Sequence, residues 1–427
     1  MGANTNKIDF TQRNQAIDIL RALTVLLMIF VNDFWSVRNV PQWMKHAERG
    51  VDFLGLADIV YPIFLFVVGM SIPLALESRF RKGLPDRNTI LHIFSRFFAL
   101  LIMGAFTEQT LSGMSPDAML RMPAWKLLMA PGFFLVWNTY PKTEKSFSLG
   151  NLHIPLKTVY TGLQILGVLL LCFLAYIFRD REGKFLRGSY GILGSIGWSY
   201  LVCAFVYYFV RNHPLKIFFF WLGLLLYTMA RSNPPQLIPK DANIINDLMG
   251  IARIGSTTVL TMGGVLFTLL IVKYSQMEVR KQIIYLCSLI AGVTIAAMIS
   301  HQFWIVAKLG ATPTWVLYCT AIAICTYGLL HWAVVKGKAK WFNIIKAGGT
   351  ATLACYVMPY FLQSVFHTYI PVLTQNNYYR FIDSIAPELL KTDATYMYCG
   401  LIKCFVWALL CILFTSLLGR FKINLKI

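Results

Sequence analysis

Long runs of apolar residues, separated by short polar loops, are the main pattern of this chain. Each run is close to the roughly 20 apolar residues that an α-helix needs to cross a bilayer. The runs predict an all-α polytopic membrane protein, a bundle of about twelve transmembrane helices that forms one domain over 1–427. The predicted spans are 16–34, 55–76, 89–107, 122–140, 157–178, 190–210, 214–230, 255–274, 281–300, 313–335, 342–362 and 396–418.

Composition and charge narrow the class of protein further. The 427 residues are 57% hydrophobic and only 14% charged, which excludes an ordinary soluble domain. The net charge of +20 comes from Lys and Arg in short loops, so the expected partner is the lipid bilayer and not a nucleic acid. The 9 cysteines lie in or beside apolar runs without metal-ligand spacing, so we expect neither a metal site nor disulfides.

The Lys and Arg residues of the loops orient the predicted bundle, because cytoplasmic loops carry an excess of them. This excess places both termini in the cytoplasm, with 1–15 as the amino-terminal segment, and we expect a bacterial inner membrane. Residues 157–210 are predicted to form an inserted helical hairpin. Its connecting loop carries four cations and lies outside in this scheme, so the hairpin inverts if 122–140 only lies on the membrane surface. The topology of 122–210 therefore stays open.

Two polar segments stand out among the predicted outer connections, 232–253 and 363–395. Both contain Pro, Asn and Asp, whereas the inner connections are short and basic. Irregular backbone concentrated on one face indicates where a polar partner is handled. We predict that these segments form a small cap over the extracytoplasmic mouth.

The first hairpin, 16–76, gathers polar side chains at one predicted membrane face. Asn32 ends the first apolar run, His46 lies in the connecting loop, and Asp58 opens the return helix. Polar and ionisable groups at such positions are candidates for function because hydrocarbon penalises them. Histidine can take a proton from an attacking hydroxyl or amine, a carboxylate can fix its tautomer, and an amide can stabilise an oxyanion. These parts suit acyl transfer in which His46 is either the base or a transient acyl carrier.

Three arginines are candidate ligand contacts. Asp18 and Arg21 are three residues apart on one helix face, which fits a structural ion pair or, alternatively, an arginine that faces an anion entering from the cytoplasm. Arg96 has the same two interpretations. Arg121 precedes a predicted span, where it is either a membrane anchor or a ligand contact.

The stretch from Arg13 to Pro73 resembles the transmembrane acyltransferases typified by heparan-α-glucosaminide N-acetyltransferase. The matching pieces, in the same order and at similar spacing, are Ile17-Asp18-Ile19-Leu20-Arg21, Phe30-Val31-Asn32, Lys45-His46-Ala47, Leu56-Ala57-Asp58-Ile59-Val60-Tyr61-Pro62 and Phe64-Leu65-Phe66-Val67-Val68-Gly69. Weaker matches are Arg121-Met122-Pro123, the stretch from Lys308 to Trp315, and Gly419-Arg420-Phe421-Lys422.

The resemblance implies an enzyme that takes an acetyl group from cytosolic acetyl-CoA and places it on a sugar across the membrane. Asn32 and His46 fall on the family's reactive amide and histidine, and Asp58 falls on its adjacent acid. We then expect 1–427 to be a single acyltransferase domain, with the phosphates of acetyl-CoA held at the basic inner face and Arg21, Arg96 and Arg121 as candidate contacts.

Two departures from the family pattern concern the acceptor. Asp33-Phe34-Trp35 follow Asn32, where the family has an aromatic and glycine-rich turn, and the loop from His46 to Asp58 is longer, with Glu48, Arg49 and Asp52 added. Both changes lie where the acceptor should bind. An extracytoplasmic glycan or amino sugar is expected, but its identity, the choice of N- or O-acetylation and the acyl length stay open.

A secondary transporter of a small polar solute is the alternative function. Roughly twelve spans with intramembrane charge also fit that class. The polar groups collect at one face and the helices carry few charges near mid-membrane, which favours the enzyme. A catalytically silent scaffold is a third hypothesis. The oligomeric state stays open, and a homodimer is one of the alternatives.

Overall fold

The structure is a computed structural model that describes residues 14–141, 146–149, 152–183, 191–211, 213–232, 255–274, 277–369, 375–385, 388, 392–425 and 427. Its α-helices are α1 (Gln15–Asn32), α2 (Leu56–Arg81), α3 (Asp86–Ser112), α4 (Met122–Trp137), α5 (Leu156–Ile177), α6 (Gly191–Val210), α7 (Pro214–Arg231), α8 (Ser256–Tyr274), α9 (Val279–His301), α10 (Pro313–Val335), α11 (Lys346–Thr350), α12 (Thr352–Tyr369), α13 (Gln375–Ile385) and α14 (Asp393–Arg420). Short 3₁₀ helices lie at Phe34–Ser36, Gln42–Met44 and Lys338–Ile345.

Nine helices of the described ranges are long and apolar enough to cross a membrane, namely α2, α3, α5 to α10 and α14. Two shorter apolar helices, α4 and the Thr352–Phe366 part of α12, add to them. With α1, a helix lies on every predicted span. The predicted all-α polytopic membrane fold is therefore confirmed, whereas the orientation of the termini and the bacterial inner membrane stay predictions.

Among the predicted spans, 342–362 differs most from a single continuous helix. A 3₁₀ helix and the short α11 occupy its first part, and Ala351, with φ −127° and ψ 45°, separates α11 from α12. Gly348 and Gly349 lie in α11. Because glycine is the poorest helix former after proline, a continuous helix through this pair is costly.

An antiparallel β-hairpin, which the apolar pattern did not predict, precedes α5. Its strands β1 (Ser146–Leu149) and β2 (Leu152–Pro155) pair Ser146 with Pro155 and Leu149 with Leu152. The sequence places Gly150-Asn151 between the strands, a pair typical of two-residue hairpin turns.

Contacts within the chain group it into two compact units. The first comprises the described residues of Met1–Thr24, Pro41–Phe98 and Ser195–Asn343, and the second comprises those of Val25–Val40, Ala99–Gly194 and Ile344–Ile427. Each unit draws on three separated segments. The single domain over 1–427 stays a prediction.

Helix α2 is central to the first unit, where it packs against α8 and α10. Its middle turns are buried on all sides, as expected of a helix that is apolar all round. Gly69 and Gly264 allow α2 and α8 to touch through their backbones. A Cβ atom at Gly69 would lie 1.8 Å from the carbonyl oxygen of Thr261, and one at Gly264 would lie 1.9 Å from that of Phe66. Small residues at membrane helix contacts permit such close packing.

The second unit is built on α4, which packs against α5 and α12, while α12 packs against α14. Trp125 of α4 is fully buried, stacks on Phe106 and donates its indole N–H to the carbonyl oxygen of Leu174 at 3.0 Å. A buried tryptophan with its N–H satisfied combines a large apolar contact with a polar anchor. The pair α4 and α5 is thereby tied together.

Several predicted segments fall partly or wholly outside the described residues. Residues 1–13 and 233–254 lie outside the described residues, and the second range contains almost all of the predicted cap segment 232–253. The other predicted cap segment, 363–395, contains α13 between the end of α12 and the start of α14. Helices α5 and α6 lie on the predicted segment 157–210, and its arrangement as an inserted hairpin stays a prediction.

Candidate functional site

The carboxylate of Asp58 is fixed by the start of α2. Asp58 lies in the first turn, where its Oδ2 accepts backbone N–H groups from Ala47 at 2.8 Å and from Gly55 at 3.3 Å. The N–H of Asp58 in turn donates to the carbonyl oxygen of Gly55 at 3.0 Å. This reciprocal pairing resembles a capping box, in which an acid at the third helical position satisfies the N-cap amide. The side chain of Asp58 is only 1% exposed.

Glycine is required at position 55 for steric reasons. A Cβ atom there would lie 1.9 Å from the carbonyl oxygen of Lys45. The residue before α2 therefore touches the backbone of the loop that carries His46. This contact brings the histidine to the first turn of α2.

His46 contacts the remaining oxygen of the buried acid. Its Nδ1 lies 2.7 Å from Oδ1 of Asp58, and its side chain is 50% exposed. A neutral imidazole that donates Nδ1–H to the carboxylate keeps Nε2 as an acceptor. In this tautomer, Nε2 is an acceptor on an oriented and accessible side chain.

Lys308 adds a positive charge beside this pair. Its Nζ donates to the carbonyl oxygen of Ala57 at 3.2 Å and lies 3.9 Å from Oδ1 of Asp58 and 3.2 Å from Nδ1 of His46. Burial lowers the pKa of Lys308, and the Asp58 carboxylate acts in the opposite direction. An ammonium near a buried carboxylate compensates its charge.

The beginning of α10 holds the same corner from the other side. Trp315 donates its indole N–H to the backbone carbonyl oxygen of Asp58 at 3.1 Å. Thr312 caps α10, since its hydroxyl accepts the N–H of Trp315. The site therefore rests on two helix starts and on the loop that carries Lys308.

A second histidine–aspartate pair joins the two loops of the site. Asp52 accepts the N–H of Val306 at 2.8 Å, and its other oxygen lies 2.8 Å from Nε2 of His301. Phe53 donates its N–H to the carbonyl oxygen of Val306 at 3.2 Å. Burial raises the pKa of Asp52, but the hydrogen bonds from Val306 and His301 outweigh it, so the net shift is downward.

Two of the candidate residues lie in the second unit. Asn32 is the last residue of α1 and is exposed, and Arg121 is the exposed N-cap residue of α4. His46 and Asp58 belong to the first unit and are in contact. The role of Asn32 beside them and the contact of Arg121 with a ligand stay predictions.

Arg21 and Arg96 lie in the first unit. Arg21 lies 3.4 Å from Asp18, which shows the ion pair, and it also donates to the hydroxyl of Ser71 on α2. Ser71 is about 20 Å along α2 from Asp58 at 1.5 Å per residue. The guanidinium of Arg96 lies over the ring of Tyr200 at 4.6 Å. Their contact with a nucleotide stays a prediction.

Lys308 and the Asp52–His301 pair were not among the predicted site residues. Lys308 opens one of the weaker matching stretches, and Asp52 was noted only as an addition to the loop. Nothing in the local pattern shows that these two distant segments meet. Among the described residues, no cluster of three or more His, Cys, Asp or Glu side chains is arranged to hold a metal ion.

The fold and this corner define a polytopic helical membrane protein with an oriented histidine at the start of a membrane helix. The chain belongs to the family described as "Domain of unknown function (DUF5009)", which matches residues 13–249. It is also 28% identical over 124 residues to heparan-alpha-glucosaminide N-acetyltransferase from Mus musculus and to the protein of that name from Homo sapiens. These alignments cover 28% of this chain but only 17% and 16% of the two relatives. The predicted resemblance is confirmed over this part.

Proposed function

We propose that the protein is a membrane-embedded acyltransferase that moves an acetyl group from cytoplasmic acetyl-CoA to an extracytoplasmic sugar or glycan. The contact between His46 and the buried carboxylate of Asp58 supports this proposal most strongly. The similarity to an N-acetyltransferase points to the same reaction class. In this scheme both termini are cytoplasmic.

His46 acts through Nε2. As a general base, it takes the proton from the hydroxyl or amine of the acceptor as that group attacks the thioester carbonyl, and it then returns the proton to the departing thiolate. As an acyl carrier, Nε2 attacks the thioester itself, expels the CoA thiolate and holds the acetyl group. The acceptor then attacks this acetyl group, the bond to Nε2 breaks, and the proton of the acceptor goes to the thiolate. Both routes need the same free nitrogen.

Asp58 holds the ring and stabilises the positive charge that forms on it. Its Oδ2 is occupied by backbone amides and its Oδ1 faces Nδ1, so the ring needs no reorientation when Nε2 gains a proton or an acetyl group. Asn32 is the proposed oxyanion donor because it matches the family's reactive amide. Lys308 compensates the buried carboxylate.

The basic residues suit a donor whose anionic nucleotide lies far from its thioester. Arg21 contacts α2 about 20 Å from Asp58, so a cation lies well along the helix from the reactive corner. Arg79 and Arg96 both carry a buried Nε atom without a hydrogen-bond partner among the described residues. Arg21, Arg96 and Arg121 are the proposed contacts with acetyl-CoA.

The direct test uses membranes that contain His46→Ala together with a matched control, His213→Ala. His213 is an exposed histidine before α7. With radiolabelled acetyl-CoA and a panel of amino sugars and sugars, His46→Ala should lose transfer by about 10²- to 10⁴-fold, the usual contribution of a general base. The control should keep the wild-type rate.

A wild-type rate in His46→Ala would reject the proposal. Solute uptake into proteoliposomes without acyl-CoA, with no transfer, would instead favour the transporter. Trapping a labelled acetyl group on His46 after a brief incubation without acceptor separates the acyl-carrier route from direct transfer.

A further inference from the structure

The second unit contains a cavity of about 520 Å³ at the junction of α4, α12, α14 and the 3₁₀ helix Phe34–Ser36. Its volume is in the range of pockets that bind small organic molecules. Apolar side chains form much of its wall, among them Met122, Phe366, Ile402, Val406, Trp407 and Leu410. A ligand of this cavity therefore needs a substantial apolar part.

The α14 part of the cavity wall reaches the depth of the hydrocarbon core when this helix stands upright in a bilayer. Helix α14 has 28 residues and is about 42 Å long, whereas the core is about 30 Å thick. Whichever end protrudes from an upright helix, positions between about 12 and 30 Å from its start lie inside the core. Ile402 and Leu410 are about 14 and 26 Å from that start.

Two of the three charged side chains on the cavity wall neutralise each other. Nζ of Lys403 lies 3.3 Å from Oδ2 of Asp33, with side-chain exposures of 14% and 12%. Lys403 also donates to the hydroxyl of Ser36. This pair closes one part of the wall without adding net charge.

Lys126 is the third charge. It lies one turn into α4, is partly buried and lines the same cavity. Within the described ranges, no carboxylate pairs with its ammonium. Ionisable residues at membrane depth are costly and mark binding sites or ion pathways. Among the described residues, the cavity therefore combines an apolar wall with one positive charge that no carboxylate compensates.

We propose that this cavity binds a single-chain amphiphile with a phosphate head group, such as an alkyl or isoprenyl phosphate. The chain packs against the apolar part of α14 near Val406 and Leu410, and the phosphate pairs with Lys126. The apolar wall at hydrocarbon depth selects a chain, and the unpaired ammonium selects an anion. The proposal concerns the second unit alone. Asp33 and Trp35 of the cavity wall lie in the stretch where the acceptor is expected, but ligand binding is measured without acyl transfer.

The test uses the full chain purified in a neutral detergent, with dodecyl phosphate as the probe. Dodecyl phosphate should raise the thermal midpoint in a saturable manner, because a ligand that binds only the folded state stabilises it. Dodecanol and inorganic phosphate, which each carry half of the recognised chemistry, should give little or no shift at the same concentrations.

Variants separate the head group from the chain. Lys126→Gln should weaken the apparent affinity at least tenfold, whereas Lys126→Arg and the matched control Lys157→Gln, an exposed lysine of α5, should retain it. Val406→Trp keeps the charge but fills the cavity, and it should also abolish the shift. This second variant keeps the proposal testable if Lys126→Gln does not fold.

Equal shifts from dodecanol and dodecyl phosphate, or an unchanged affinity in both Lys126→Gln and Val406→Trp, would overturn the proposal. A shift produced only by vesicles of two-chain phosphatidic acid would overturn the single-chain assignment. The His46→Ala variant should bind dodecyl phosphate normally, so a failure here and a failure of the acyltransferase proposal are distinguishable.

Discussion

Two histidine–aspartate pairs lie within the first unit and use opposite ring nitrogens. His46 contacts Asp58 through Nδ1 at 2.7 Å, and His301 contacts Asp52 through Nε2 at 2.8 Å. The distances are nearly the same, so distance does not distinguish the pairs. Burial does, because Asp58 is 1% exposed and Asp52 is 43% exposed.

The surroundings of the two acids explain why the pairs differ chemically. Asp58 lies in the first turn of a membrane helix and is held by two backbone amides, so the ring is oriented through Nδ1, and within the described residues no hydrogen bond occupies its Nε2. Asp52 shares its carboxylate between His301 and the amide of Val306, and it ties one loop to another. The comparison supports the proposal that the buried, backbone-held Asp58 orients a reactive histidine, whereas the exposed Asp52–His301 pair serves as a structural clip between two segments.

The largest expected difference between the pairs is in catalysis. Asp58→Asn should lower kcat by about 10³-fold or more, because an amide neither stabilises the imidazolium nor favours the Nδ1–H tautomer. Asp52→Asn is the matched change at the clip and should stay within about tenfold of wild type. Labelled acetyl transfer by equal amounts of folded protein measures both. Equal losses in the two variants would show that Asp58 has no special role.

A smaller effect is expected from the charge that accompanies only the first pair. Lys308→Met should reduce transfer by roughly 10- to 100-fold, or about 1.4–2.7 kcal/mol, because it leaves the buried carboxylate without its compensating ammonium. Lys308→Arg should recover part of the loss. Lys45→Met, an exposed lysine of the same loop as His46, serves as the control and should remain near wild type. Equal rates in Lys308→Met and Lys45→Met would contradict this expectation.

The smallest effect concerns the stability supplied by the clip. The pKa of Asp52 is lower in the folded protein than its ordinary value of 3.8, so its contribution is present above that value and is lost as pH falls through the lower folded pKa. Exposed pairs contribute about 0–1 kcal/mol. Thermal midpoints of wild type and Asp52→Asn should therefore differ slightly at pH 7 and converge as the pH falls below 3.8 and through the lower folded pKa. A difference that grows as the pH falls would reverse the assigned sign.

The predicted spans agree with the helices because each depends on a local property, a run of apolar residues of bilayer length. The proximity of His46 and Asp58 in the first hairpin was equally predictable from the sequence. The two residues are only twelve positions apart, and helix-start rules place the acid in the first turn. The interruption at Ala351 was missed because the apolar run continues through it. Local hydropathy does not register a change in backbone conformation.

Short-range pattern and chain geometry are sufficient to identify a helical membrane protein and to assign His46 and Asp58 to one hairpin. By contrast, the contact of Lys308 with His46, 262 residues away, and the cavity shared by Lys126, Lys403 and Asp33 become visible only in the folded chain. Contacts between residues so far apart in the chain are determined by how the helices pack. The packing depends on the contacts of many distant side chains at once, so no single stretch of residues contains it.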